Sequence, residues 1–255
     1  MSEIRSQEAG PLIDAHCHLG NGPAGALTAR QLIERLDQNA VALAIVSPGR
    51  VDESSEIPAA NDLIVSAVHA YPERLIGFAL TDPTAQADAP AELARALDAG
   101  LVGLKLRPGV AGLASAQHTL RAVVELAARR RAPVYFHSGT QIMSVARDAV
   151  QLASQFSDLP FVLSYRKGPT FEKLPTETIP ENLYFDTSTL APQQVADLLR
   201  HVGAGRIVFG SGFPFGSQRI EMSKAFHSVP AEDVPLVFGG NIRAILARCG
   251  IRIPV

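Results

Sequence analysis

Short, almost continuously apolar runs alternate along the chain with longer segments in which apolar positions recur every three to four residues. The runs 12–15, 41–46, 75–80, 102–106, 133–137, 161–165, 183–185 and 207–209 predict eight strands. Successive rather than alternate positions are apolar in each, as a parallel strand covered on both faces requires. Segments 28–38, 58–69, 91–99, 116–130, 142–155 and 192–201 predict amphipathic helices. In 116–130, Leu120, Val123, Val124, Ala127 and Ala128 share one face, opposite Arg121, Glu125 and Arg129. Helix ends are legible as well: Gly100 stops one helix, and Arg129, Arg130 and Arg131 sit in a last turn ahead of Pro133, where cations suit the helix dipole. Pro169, Pro175 and Pro180 leave no room for a helix in 166–182. Strict β/α alternation with eight strands predicts an α/β fold, a (β/α)8 TIM barrel in a single domain.

Composition narrows the class. A hydrophobic share of 47% with 19% charged residues excludes a disordered chain. The 255 residues suit one barrel of about 250. We expect residues 1–10, which are polar, to form a disordered lead-in and 11–255 to form the barrel domain. Net charge is −2, from 23 Lys and Arg against 25 Asp and Glu, which offers no electrostatic grip on nucleic acid or an anionic membrane. Two cysteines, Cys17 and Cys249, cannot build a disulfide framework or a Cys-rich zinc module. With no signal-peptide pattern and no apolar run of about 18 residues, a soluble cytoplasmic protein is expected.

Candidate chemistry begins at Ile13-Asp14-Ala15-His16-Cys17-His18. Residues two apart on a strand point to the same side, so His16 and His18 project together and Cys17 faces away. A third histidine, His137, ends the strand Tyr135-Phe136-His137. Three imidazoles at strand C-termini converge on a barrel mouth and can bind one divalent metal, with zinc the first candidate. Against this stands a reading as hydrogen-bonded core histidines, which is harder to satisfy for two adjacent buried imidazoles. Gly20-Asn21-Gly22-Pro23-Ala24-Gly25 fits G-x-G-x-x-G, but the next strand ends Ile45-Val46-Ser47-Pro48 without the acidic residue a dinucleotide site needs. A plain loop is expected there. His69, His118, His201 and His227 fall on or beside helices and read as outer-layer side chains.

The motifs Ile13-Asp14-Ala15-His16-Cys17-His18-Leu19-Gly20, Gly103-Leu104-Lys105-Leu106-Arg107-Pro108, Pro133-Val134-Tyr135-Phe136-His137, Leu183-Tyr184-Phe185-Asp186-Thr187-Ser188, Arg206-Ile207-Val208-Phe209-Gly210-Ser211 and Gly240-Asn241 together make a pattern. Over residues 12–249 the chain resembles the amidohydrolase-related family of metal-dependent hydrolases. That family is built on (β/α)8 barrels, and its relatives include aminocarboxymuconate-semialdehyde and resorcylate-type decarboxylases. The resemblance implies metal ligation by His16, His18 and His137, and relatives that are often dimers imply a homodimer. Two positions depart from the family. Its sixth strand usually ends in a catalytic His, where this chain has Leu163-Ser164-Tyr165-Arg166-Lys167-Gly168. Its eighth strand usually runs into a metal-binding, proton-handling Asp, where this chain has Gly212 in Gly210-Ser211-Gly212-Phe213-Pro214-Phe215.

Replacement catalytic groups would come from Tyr165, Arg166 or Lys167, or from Asp186 after the seventh strand. Lys105 and Arg107 alternate on the fourth strand, so both can face the mouth. A Lys105 paired with Asp14 or Asp186 and an Arg107 gripping a substrate carboxylate are the expectations. Segment Phe213-Pro214-Phe215-Gly216 is expected to wall the active-site mouth, and Ser211 and Phe213 to touch the substrate. Three readings stay open: hydrolysis of a small amide, ester or lactone by metal-activated water; carbon–carbon lysis, a decarboxylation; and a metal-free barrel with other chemistry or a binding role. A small-molecule substrate is expected, with no nucleic-acid or membrane partner, and the third reading adds the role of a partner subunit.

Overall fold

The computed structural model describes residues 10–84, 88–107, 116–137, 142–164 and 179–254. Its strands are β1 (Ile13–Gly22), β2 (Gly25–Leu27), β3 (Leu43–Pro48), β4 (Leu75–Thr81), β5 (Gly103–Leu106), β6 (Val134–His137), β7 (Phe161–Ser164), β8 (Leu183–Asp186) and β9 (Ile207–Val208). The helices are α1 (Ala29–Gln38), α2 (Ile57–Ala70), α3 (Ala89–Asp98), α4 (Gln117–Arg129), α5 (Ile142–Gln155), α6 (Pro192–Val202), α7 (Gln218–Ser228) and α8 (Asn241–Arg248). One curled sheet holds all nine strands in the order β2-β1-β3-β4-β5-β6-β7-β8-β9. Every neighbouring pair is parallel except β1 with β2.

The eight expected parallel strands are present. No ladder joins β9 to β1, so the sheet is barrel-like rather than closed by continuous pairing. Main-chain bonds span the gap instead: Ala15 N to Phe209 O at 2.9 Å, Gly212 N to His16 O at 2.8 Å and His18 N to Phe213 O at 2.7 Å. A parallel bridge pairs Cys17 with Phe213.

The Gly-rich stretch after the first strand differs from the loop expected. Gly20, Asn21 and Gly22 pair with Leu27, Ala26 and Gly25, making a hairpin turned by Pro23 and Ala24. A hairpin presents no helix N-terminus to a pyrophosphate, which removes the dinucleotide reading. The next helix starts at Ala29, capped by Thr28, whose Oγ1 accepts from Gln31 N at 3.3 Å while Gln31 Oε1 accepts from Thr28 N at 2.9 Å.

Two apolar layers hold the site up. The outer one, between sheet and helices, includes Cys17, Leu19, Leu32, Leu36 and Ile64. The inner one fills the curl with Ile13, Ala15, Leu43, Phe78, Tyr135 and Val208, among others, and is met by Ile242, Ile245 and Leu246 of α8. This inner packing is a floor, and polar side chains cluster above it at the strand C-termini, as barrel architecture favours. Among the described residues no helix is long and apolar enough to cross a membrane.

One buried polar clamp fixes a wall of that upper region. Asn61 of α2 donates from Nδ2 to Leu80 O at 3.1 Å and Glu92 Oε1 at 2.7 Å, and accepts from Leu80 N at 2.8 Å. It is fully buried, so removing its amide takes a partner from the N and O of Leu80 and leaves Glu92 to Arg95 alone. Asn61→Ala is expected to lower stability by about 3 kcal/mol in urea unfolding. A loss below about 1 kcal/mol would show that the clamp is dispensable.

Candidate active site

The first two histidines owe their direction to an irregularity in β1. Simple alternation would put His16 on the side opposite Ile13 and Ala15, which face the inner layer. The pairing of β1 with β3 shifts register between Asp14 and Cys17. This β-bulge reverses the phase, so His16 and His18 turn to the pocket while Cys17 and Leu19 enter the outer layer. The expected common direction of His16 and His18 is therefore met, and their rings lie 4.8 Å apart.

Each ring is anchored through one nitrogen. His16 Nδ1 donates to Asp186 Oδ2 at 2.6 Å, with Ser188 Oγ 3.1 Å away. Asp186 is held in turn by Ser188, whose N donates to Oδ1 at 2.8 Å and whose Oγ donates to Oδ2 at 2.5 Å. His18 Nδ1 donates to Pro48 O at 3.1 Å, with Ser47 Oγ at 3.2 Å. Carboxylate and carbonyl oxygens accept only, so the proton sits on Nδ1 in both rings and Nε2 carries a lone pair. Burial, and then neighbouring cations, hold both imidazoles below their ordinary pKa, His18 well below. Burial alone would raise Asp186, but His16 and the Ser188 bonds bring its carboxyl down to about 2. His137, at the end of β6, places its ring 6.1 Å from that of His16 and lines the same pocket.

Lys105 of β5 departs from expectation. It does not pair with Asp14 or Asp186. Its Nζ donates to His16 Nε2 at 2.9 Å and lies 3.9 Å above the Tyr135 ring. Burial brings its pKa from 10.5 to about 7, against the pull of Asp186. Arg107 is half-buried beside it, donating to Val51 O at 2.6 Å and more weakly to Gly49 O at 3.5 Å. Among the described residues neither cation forms an ion pair with a carboxylate. Both face a cavity of about 180 Å³ with Leu80 and Phe215 as apolar walls.

Other expected site residues fall elsewhere. Asp186 is fully buried behind His16, hydrogen-bonded to its Nδ1, and does not itself line the cavity. Ser211 is fully buried below the mouth: its N donates to Asp14 Oδ1 at 2.9 Å and its Oγ accepts from Phe213 N at 3.1 Å. Phe213 turns outward under the Arg35 guanidinium, 5.7 Å from its ring centre. Gly212, in the left-handed region at φ +63, separates it from the pocket. Phe215 lines the mouth instead and meets the His18 ring edge-on at 5.2 Å. Tyr165 and Arg166, like Lys167, lie outside the described residues.

Gly210 is a requirement of the site that its sequence context does not announce. A Cβ there would overlap the Asp186 carboxylate and stand 2.7 Å from His16 Cβ. Gly210→Ala is expected to push Asp186 off His16 and weaken activity about ten- to a hundredfold, the usual range for displaced orienting partners. Unchanged kcat/KM in that variant would show that the Asp186–His16 contact tolerates being moved.

The sequence profile of the Amidohydrolase family matches residues 13–248. The chain belongs to the amidohydrolase family. No curated protein sequence matches it. Among solved structures, a putative amidohydrolase from Staphylococcus aureus is 17% identical, with 93% of this chain and 99% of that chain covered and a TM-score of 0.75. A dihydroxybenzoic acid decarboxylase from a Polaromonas species, holding manganese and the inhibitor 2-nitroresorcinol, is 18% identical over 93% of this chain and 97% of that one, with a TM-score of 0.67. A probable 2-pyrone-4,6-dicarboxylic acid hydrolase from Acinetobacter baumannii, with citric acid bound, is 18% identical over 92% and 99%, with a TM-score of 0.65. At these identities the likeness is one of fold.

Membership in the amidohydrolase family raises the question of whether these side chains suit a divalent ion. The donor chemistry does. His16 and His18 are neutral and present Nε2 to the pocket, with the other nitrogen tied to a carboxylate or carbonyl, the arrangement that orients a metal-binding imidazole. Two features stand against it. Lys105 holds the His16 lone pair, and Gly212 offers no carboxylate. Among the described residues no three His, Cys, Asp or Glu side chains are gathered closely enough to hold an ion in this arrangement. His16 and His18 thus have suitable donor nitrogens, but in this arrangement the described residues do not form an ion site.

Proposed function

We propose that this amidohydrolase-family protein is a carbon–carbon lyase that removes a carboxylate as carbon dioxide from a small carboxylated ring, working at the mouth of a (β/α)8 barrel closed between β1 and residues 209–213. The observation that carries this reading is the pair Lys105 and Arg107 on the cavity wall, neither in ion-pair contact with a carboxylate among the described residues. Two such donors facing one cavity suit an anionic substrate. The decarboxylase and hydrolase neighbours are named for a dihydroxybenzoic acid and a pyrone dicarboxylic acid, which are carboxylated rings too.

Arg107 would grip the carboxylate, fixed in aim by Val51 O, while Leu80 and Phe215 sandwich the ring and exclude water. The bond between ring carbon and carboxylate breaks, its electron pair stays on the ring carbon, and that carbon takes up one proton, so that RCO2− and H+ become RH and CO2. Lys105 is the ammonium placed to deliver the proton. A divalent ion on His16, His18 and His137, zinc by ligand type or manganese as in the Polaromonas neighbour, would supply a Lewis acid for charge on a substrate oxygen. Gly212 puts no base beside that position, and decarboxylation demands a proton donor where hydrolysis demands a base. Hydrolysis of a lactone, ester or amide that also bears a carboxylate is the second reading, favoured by the Acinetobacter hydrolase neighbour.

A panel of hydroxybenzoates, carboxylated heteroaromatics and pyrone carboxylates, assayed for both carbon dioxide release and ring opening, separates the two. Release of carbon dioxide from at least one acid is expected. Arg107→Met should raise its KM about ten- to a hundredfold, the worth of a charged hydrogen-bonded pair, with a smaller effect on kcat. Turnover confined to neutral esters, or carbon dioxide release indifferent to Arg107, would overturn the lyase assignment.

A further inference from the structure

We propose that Thr189 is a specificity-determining residue of the cavity, its hydroxyl binding an oxygen that the substrate ring carries across from its carboxylate. The proposal rests on the carboxylated ring gripped at Arg107 put forward above. Among the described residues, three that are not glycine take the left-handed backbone region: Ala40 at φ +54, Arg131 at φ +53 and Thr189 at φ +64. The first two follow the ends of α1 and α4 and close them. Val41 N donates to Leu36 O at 2.9 Å and Ala132 N to Ala127 O at 2.8 Å, the ordinary use of that conformation. Thr189 ends no helix; it lies between β8 and α6. It is β-branched, the side-chain type this region tolerates least, and glycine or asparagine would turn the chain there with less strain.

The turn is fixed from both sides. Leu190 N donates to Thr187 O at 3.2 Å, and Gly210 N donates to Thr187 Oγ1 at 3.3 Å. Thr189 N donates to Glu221 Oε2 at 3.2 Å, while Lys224 Nζ reaches that same oxygen at 2.6 Å and Leu190 O at 2.9 Å. Two polar side chains of α7 thus hold one strained residue in place, and strain that the surroundings over-determine belongs to positions where a side chain has work at a site. The side chain so held is half-buried and lines the cavity, and among the described residues its hydroxyl has no hydrogen-bond partner. The cavity has two flanks. Lys105 and Arg107 come from β5 and its end, whereas Ser164, Ser188 and Thr189 come from the ends of β7 and β8, with β6 between. Ser188 Oγ is given to Asp186 Oδ2, and Ser164 Oγ lies 3.3 Å from Ser188 Oγ, which leaves Thr189 as the hydroxyl of that flank open to a ligand. A ring with its carboxylate at Arg107, between Leu80 and Phe215, turns its opposite edge that way.

The test is calorimetric titration of two probes, benzoate and 4-hydroxybenzoate, into wild type, Thr189→Val, Thr189→Gly, Thr189→Ser and Arg107→Met, with a thermal melt of each protein. Wild type is expected to bind 4-hydroxybenzoate about three- to tenfold more tightly than benzoate, the usual gain from one hydrogen bond. Thr189→Val keeps the branched shape without the hydroxyl, so it should bind the two probes alike, with benzoate held as in wild type. Thr189→Gly should melt close to wild type, because relief of the backbone offsets the greater freedom of the unfolded chain, and should lose the preference all the same. It therefore decides the question even if Thr189→Val fails to fold. Thr189→Ser should keep the preference. A preference that persists in Thr189→Val or Thr189→Gly, or that wild type lacks, would overturn the role of Thr189 while the grip at Arg107 stands. Benzoate affinity unchanged in Arg107→Met, or neither probe bound by wild type, would overturn the carboxylate site and this proposal with it.

Discussion

Asp186→Ala is expected to destabilise the protein by about 3–5 kcal/mol, more than any other single substitution at the site. Three donors converge on this carboxylate: His16 Nδ1, Ser188 N and Ser188 Oγ, at 2.6, 2.8 and 2.5 Å. Asp186 is fully buried and Ser188 is 1% exposed, so water cannot take over the orphaned donors. The truncation also removes the negative charge that supports the nearby Lys105 cation. Urea unfolding of wild type and variant measures the difference, and a loss below about 1 kcal/mol would mean that the network relaxes around the gap. Asp186→Asn separates orientation from packing. Asparagine keeps the volume but brings its own N–H, which favours a His16 tautomer protonated on Nε2, with no lone pair toward the pocket. It should therefore be milder than alanine in unfolding and severe in zinc titration and turnover.

The fold was legible in the sequence wherever local composition decides local structure. The parallel strands could be read because each is a short run buried on both faces, and the helices up to α6 because their apolar positions keep a stripe. The β2 hairpin was not, since Gly20, Gly22 and Gly25 look like a loop until their partners across the turn are known. Helix α7 escaped for a related reason: its buried face mixes Gln218 and Glu221, which serve Asp14 and Thr189, with the core residue Ala225, so no apolar stripe stands out.

The site was legible in part. The spacing of His16 and His18 shows that they point together, but the bulge that aims them inward is set by pairing with β3 and leaves no mark in the strand itself. Lys105 illustrates the limit more sharply. Alternation correctly sends it to the mouth, while its partner depends on how far β5 stands from β1 across the curl, which no local pattern encodes. The segment Phe213-Pro214-Phe215-Gly216 was legible as a mouth wall, but which of its two rings faces the cavity was not, because the left-handed turn at Gly212 ends any strand alternation there. Gly210 needs to be glycine because of Asp186, a contact made across neighbouring strand ends.

His16→Ala is expected to reduce kcat/KM by about a thousandfold or more, the largest effect on activity at the site. His16 is where three functions meet. Its Nε2 is the lone pair an ion would use, its Nδ1 ties the pocket to Asp186, and its ring gives Lys105 a resting partner. Alanine removes all three while leaving the β1 backbone bonds, such as Gly212 N to His16 O, available. If turnover depends on a divalent ion, that ion should raise the melting temperature of wild type and leave that of the variant unchanged, because an ion that does not bind the folded state does not stabilise it. The variant also separates the enzyme readings from the third one. A barrel kept for binding alone, with no metal, has no use for an imidazole lone pair at this position. Its ligand affinity would survive His16→Ala nearly intact and divalent ions would leave its melting temperature where it was. A variant that retains turnover within about tenfold of wild type would remove His16 from the chemistry and return the proton-handling role to residues further along the barrel mouth.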